Sequence, residues 1–96
     1  MADSPDPNSI ILYWRPGCGF CRTLAAGLQG AGIPFEPVNI WEHPEAAAFV
    51  RSVAAGNEVV PTIRIGATAL VNPSAREVLH AAVAEVPSLF SDLLPD

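Results

Sequence analysis

Cys18 and Cys21 are the only cysteines in the chain, and they stand two residues apart in RPGCGFCRTL, residues 15–24. Glycine flanks Cys18 on both sides and an arginine follows Cys21. Such a pair can clip a metal, crosslink the chain or cycle between dithiol and disulfide. Zinc would need two further ligands. The chain offers only His43 and His80, far apart in sequence and without the usual histidine spacing, so no metal site is expected. A static disulfide closing so short a loop would add little stability. The spacing therefore points to a working redox pair.

The elements around the pair decide how it would work. SIILYW (9–14) is apolar and β-rich, so it reads as a buried strand. From Cys18 onward, Cys21, Leu24, Ala25 and Leu28 recur with the spacing of one helix face, and the helix ends at Gly30-Ala31-Gly32. IPFEPVNI (33–40) reads as a second strand whose prolines favour an edge or an end. Pro44 opens a second helix carrying Ala46, Phe49, Val50 and Val53 up to Gly56. TIRI and TALV flank Gly66-Ala67 as a hairpin, and Asn72-Pro73 offers a cap and first-turn proline for a third helix. Its expected apolar stripe is Ala75, Val78, Leu79, Ala82, Val83 and Val86. The order β-α-β-α-β-β-α predicts an α/β fold: a mixed four-stranded sheet with helices on both faces. With the cysteines at the first strand–helix junction, the pattern is thioredoxin-like.

That junction assigns roles to the two thiols. Cys18 falls at or just before the first helical turn, where unpaired backbone N–H groups and the helix dipole favour an anion. The thiolate is the nucleophile. Gly17 and Gly19 clear space for a bulky disulfide. Cys21 shares the apolar face with Leu24 and Leu28 and is expected to be shielded. Cys18 should attack and Cys21 resolve.

CGFC followed by VVPT resembles the glutaredoxins. In that family a cis proline faces the cysteines, and the residue before it offers its backbone to the substrate. The resemblance thus implies that Val60–Pro61 is cis, with Val60 as substrate edge and Pro61 denying a donor there. HPEAAAFVRSVAAGNEVVPT and LVNPSAREV are similar to the mycoredoxins, actinobacterial glutaredoxin-like proteins that reduce mixed disulfides with mycothiol. This likeness spans roughly residues 10 to 86. It implies a thiol–disulfide oxidoreductase with no bound cofactor and a small thiol, mycothiol or else glutathione, as redox co-substrate. Phe20 stands where mycoredoxins carry tyrosine. Trp14-Arg15-Pro16-Gly17 departs from the segment expected before the first cysteine, which alters the rim of the site. Val71-Asn72-Pro73-Ser74 replaces the Gly-Gly and acidic cap of glutathione-binding relatives. Arg15, Phe20, Asn72 and Ser74 are the expected small-thiol contacts, with Ser74 either presenting its hydroxyl and amide to an anionic group or simply capping the helix. Two alternatives accompany this reading: a glutathione-dependent glutaredoxin, or an iron–sulfur cluster carrier bridging a dimer. The latter is raised by the likeness of CGFC to Cys-Gly-Phe-Ser.

Composition bounds the setting. Ninety-six residues, half of them apolar, make one domain. Residues 1–8 are expected to be a flexible leader, 9–87 the glutaredoxin-like domain and 88–96 a tail that folds back through its leucines and phenylalanine. The leader lacks the basic and apolar blocks of a signal peptide, no apolar run is long enough to cross a bilayer, and a cytoplasmic location is expected. A net charge of −5 argues against nucleic-acid and anionic-membrane partners. The expected partners are a small thiol and S-thiolated or disulfide-bearing proteins, met by a monomer.

Overall fold

The computed structural model describes residues 9–90; the expected leader (1–8) and the last six residues of the expected tail lie outside them. Strands β1 (Ile10–Trp14), β2 (Glu36–Asn39), β3 (Thr62–Ile65) and β4 (Thr68–Val71) alternate with helices α1 (Gly19–Gly30), α2 (Pro44–Val53) and α3 (Ala75–Glu85) in the expected order. The sheet runs β2-β1-β3-β4. β1 pairs with β2 in parallel, Leu12 opposite Pro37, and antiparallel with β3, Leu12 opposite Ile63. The β3–β4 hairpin sets Ile63 against Leu70. This is a thioredoxin-like α/β fold.

β1 shows why both faces are covered. Its side chains alternate between faces with the strand period of two. Ile10 and Leu12 join Leu24 and Leu28 of α1 and Val78 and Ala82 of α3 on one side. Ile11 and Tyr13 meet Ala46, Ala47 and Val50 of α2 on the other. Burial pushes the Tyr13 phenol pKa up, which keeps it neutral in that layer. α1 and α3 approach closely where Gly27 lies under Ala75: a β-carbon at 27 would come within 3.0 Å of the Ala75 β-carbon.

α1 ends as its glycines predict. The Ile33 N–H donates to Leu28 O at 2.9 Å and the Gly32 N–H to Gln29 O at 3.1 Å, with Gly32 at φ +71. These are the two bonds of a Schellman cap, whose left-handed position favours glycine. The cap turns Ile33 into the core beside Leu28.

Three expectations are corrected. The second strand is four residues rather than 33–40: Pro34 has no donor and Ile33 is used by the helix cap, whereas Pro37 is accommodated within the strand on the sheet's outer edge. Asn72-Pro73 does not open α3. Asn72 takes φ +52, and Ser74 is the N-cap of a capping box: its hydroxyl accepts from the Glu77 N–H at 3.1 Å, while its own N–H donates to Glu77 Oε1 at 2.8 Å. The stripe of α3 is narrower than expected. Val78, Ala82 and Val86 recur every four residues and are buried; Leu79 and Val83 lie round the helix and are 37% and 42% exposed. Past α3, Pro87–Phe90 form a 3-10 turn that packs Leu89 against the core.

Candidate active site

The chain leaves the sheet at Trp14, turns through Arg15-Pro16-Gly17 and enters α1 at Cys18. Gly17 sits at φ +80, a conformation that side chains other than glycine disfavour. Cys18 is the N-cap of α1, and its sulfur accepts from the Cys21 N–H at 3.1 Å. The sulfur thus occupies the place a serine or aspartate oxygen takes in ordinary helix caps. Negative charge on it would be met by this N–H and by the positive end of the helix dipole. Cys21, one turn on, is 4% exposed and packs with the Leu24 face, whereas Cys18 is half-buried. The two are joined as a disulfide with their α-carbons 5.2 Å apart.

Facing Cys18 is the turn before β3. The Val60–Pro61 peptide is cis, and the Val60 carbonyl oxygen lies 3.7 Å from the Cys18 sulfur. Two bonds hold this turn: the Thr62 hydroxyl donates to Val59 O at 2.8 Å, and the Asn72 N–H donates to Pro61 O at 2.8 Å. Asn72 therefore adjoins the cis proline, its side chain exposed. Phe20, in the first turn of α1, is 73% exposed. The fold brings Cys18, Cys21, Val60, Pro61 and Asn72 to one end of the sheet, with Arg15 across Cys18 on the β2 side. Both polar groups of Ser74 are engaged by Glu77, so the capping role weighed for it accounts for this residue.

Two features were not read from the sequence. Trp41, just after β2, is 61% exposed, and its ring centroid lies 5.8 Å from the Arg15 guanidinium carbon. The Trp41 N–H donates to Asn39 Oδ1 at 2.9 Å, which fixes the loop. A groove of about 370 Å³ also runs from Cys18 between α1 and the β1–β2 edge, over Leu12, Ala25 and Phe35, with Arg15 and Arg22 at its sides. Only three-dimensional packing unites these positions. Among the described residues no cluster of three or more His, Cys, Asp or Glu side chains could hold a metal ion, and no helix is long and apolar enough to cross a membrane.

A redox-capable cysteine pair at a helix start, opposite a cis proline on a thioredoxin-like sheet, defines a class of thiol–disulfide proteins. Comparison with known proteins narrows it. Residues 10–70 match the glutaredoxin family model. A Mycobacterium tuberculosis protein with a glutaredoxin name is 38% identical over 71 residues, covering 73% of this chain and 84% of that one. Mycoredoxin 1 of Corynebacterium glutamicum is 34% identical over 73 residues, covering 75% and 90%. In fold, the glutaredoxin of Methanosarcina mazei superposes with a TM-score of 0.66 over 84% of each chain at 23% identity. The chain belongs to the glutaredoxin family, and it is a thiol–disulfide oxidoreductase.

Proposed function

We propose that this protein reduces mixed disulfides between proteins and a small thiol, with mycothiol favoured over glutathione and Cys18 as the nucleophile. The observation that carries the reading is the N-cap position of the Cys18 sulfur, beside the cis-proline turn. The Cys18 thiolate attacks the small-thiol sulfur of the mixed disulfide. The protein thiolate leaves and takes a proton, and Cys18 keeps the small thiol in a new disulfide. A second small thiol, as thiolate, then displaces Cys18 and departs as the symmetric small-thiol disulfide. In the dithiol route the Cys21 thiolate displaces the small thiol instead, leaving the Cys18–Cys21 disulfide for an external dithiol or thiol pair to reduce.

Val60 and the cis Pro61 form the backbone edge against which the small thiol lies, with Arg15, Phe20 and Asn72 around it. Glutathione carries two carboxylates and an ammonium that reward fixed charged partners; mycothiol carries a hydroxyl-rich sugar–inositol body. The edge at Val60 and Asn72 is uncharged, which supports the second. Arg15 still gives glutathione one charge-assisted contact, so the preference is partial. The protein works as a cytoplasmic monomer, residues 9–87 forming its domain, with no bound cofactor, nucleic acid or membrane.

Side-by-side turnover of one target protein carrying either thiol tests this. The expected result is at least about a tenfold higher kcat/KM for the mycothiol adduct, roughly 1.4 kcal/mol in transition-state binding. Cys18→Ser should abolish turnover, whereas Cys21→Ser should retain most of it because a second small thiol completes the cycle. Equal or reversed rates for the two thiols would make this a glutathione-dependent glutaredoxin.

A further inference from the structure

We propose that the groove between α1 and β2 binds the protein side of the substrate: an extended segment with acidic residues beside its disulfide-bonded cysteine. The inference rests on the thiol–disulfide activity above and adds a second subsite, which extends from Arg15, the residue bordering both, along the side of Cys18 away from the cis-proline edge.

Charge is the first argument. The protein is acidic, at −5, yet among the described residues this groove has two arginines and no carboxylate in its walls. Glu36, which interrupts Phe35 and Pro37 along β2, turns to the opposite face, where its charge reaches Tyr13. Among the described residues neither Arg15 nor Arg22 pairs with a carboxylate; the ion pairs there are Arg51–Glu58 and His43–Glu45. Arg15 reaches, among the described residues, the Pro16 carbonyl, at 3.4 Å, and the Trp41 ring. Two guanidinium groups with no carboxylate partner among the described residues invert the local sign of the surface beside the cysteine pair, which attracts a carboxylate there.

Length is the second argument. The groove follows α1 from Cys18 to Gln29, eleven residues of helical rise, or about 16 Å. An extended peptide covers that distance in about five residues. This exceeds the reach of one cysteinyl small thiol anchored at Cys18 and suits a stretch of protein chain. The floor of Leu12, Ala25 and Phe35 accepts apolar side chains between the acidic ones. Pro37 on the outer strand has no N–H to offer, so side chains rather than a strand ladder would hold the segment.

The test uses two blocked nine-residue peptides, each with a central cysteine in mixed disulfide with 2-mercaptoethanol. One carries glutamate and the other glutamine at the positions either side, so both directions of approach are covered. Wild-type protein should reduce the glutamate peptide with about tenfold higher kcat/KM, and this ratio should shrink as salt screens the charges. In Arg22→Ala the ratio should fall toward one, and in Arg22→Glu it should invert. Equal rates for the two peptides with wild-type protein would overturn the proposal and leave the activity standing; reduction of neither would overturn the activity as well. A KM change in Arg22→Ala confined to the small-thiol disulfide would give the groove to the small thiol and overturn the protein subsite.

Discussion

Replacing Ser74 by alanine separates the two roles that its position allows. The hydroxyl accepts one bond, from the Glu77 N–H at 3.1 Å, and the reciprocal bond from the Ser74 N–H to Glu77 Oε1 is 2.8 Å. Both groups lie at an exposed helix start, so water takes over the freed N–H and no buried donor is orphaned. The cost is that of a lost cap, about 1 kcal/mol. For a domain of this size that lowers the melting temperature by about 4–8 °C. Glu77→Ala should cost less, and the double variant should fall short of the sum by about 0.5 kcal/mol because the two bonds are one unit. The assay is thermal unfolding by circular dichroism, all variants oxidised, with turnover of a small-thiol mixed disulfide measured in parallel. Ser74→Ala should lose stability while its KM stays within about twofold of the parent. An unchanged melting temperature with a KM raised about tenfold would refute the reasoning and make the hydroxyl a ligand contact.

Two further outcomes follow from the packing. Tyr13 is the only tyrosine, and burial raises its pKa above the ordinary value of 10.0. The folded state then holds the phenol proton to higher pH than the unfolded chain, so this contribution is intact below about pH 10 and is lost as pH rises through the folded value. Tyrosinate absorbance should titrate later in native than in denatured protein, and Tyr13→Phe should flatten the alkaline fall in stability; coincident titrations would contradict this. Gly27→Val drives a branched side chain into Ala75, where a β-carbon alone already stands at 3.0 Å, and should cost about 1–3 kcal/mol in urea unfolding. An unchanged midpoint would mean the α1–α3 contact is looser than the geometry states.

Local physics made much of the molecule legible. The cysteine pair stands at a strand–helix junction because an apolar β-rich run meets a helical repeat there, and both signals are short-range. The glycines after α1 announced its cap for the same reason. The cis geometry at Pro61 came from resemblance, since nothing in a single X–Pro step distinguishes the rare isomer. The start of α3 was misplaced because Asn72, Pro73 and Ser74 all suit helix starts; the deciding signal was Glu77, three residues after Ser74. Leu79 and Val83 have the same hydrophobicity as their buried neighbours, and only the position of α1 and the sheet decides which side of α3 is covered. Trp41 reaches the site's surroundings from the loop after β2, so no spacing in the sequence could join it to Cys18; Arg22 stands one helical turn from Cys18 on α1, but only the packing of β2 beside that turn makes it a wall of the groove.

The most direct test of the account is to trap the first chemical step. Reduced Cys21→Ser protein is mixed with the symmetric disulfide of mycothiol, and in parallel with that of glutathione, then measured by intact mass and peptide mapping. If Cys18 is the attacking thiol, one small-thiol adduct per chain should form, on Cys18, faster than the corresponding adduct on Cys21 in Cys18→Ser. Absence of any adduct on Cys18, or equal trapping by the buried Cys21, would contradict the assignment of Cys18 as the attacking thiol.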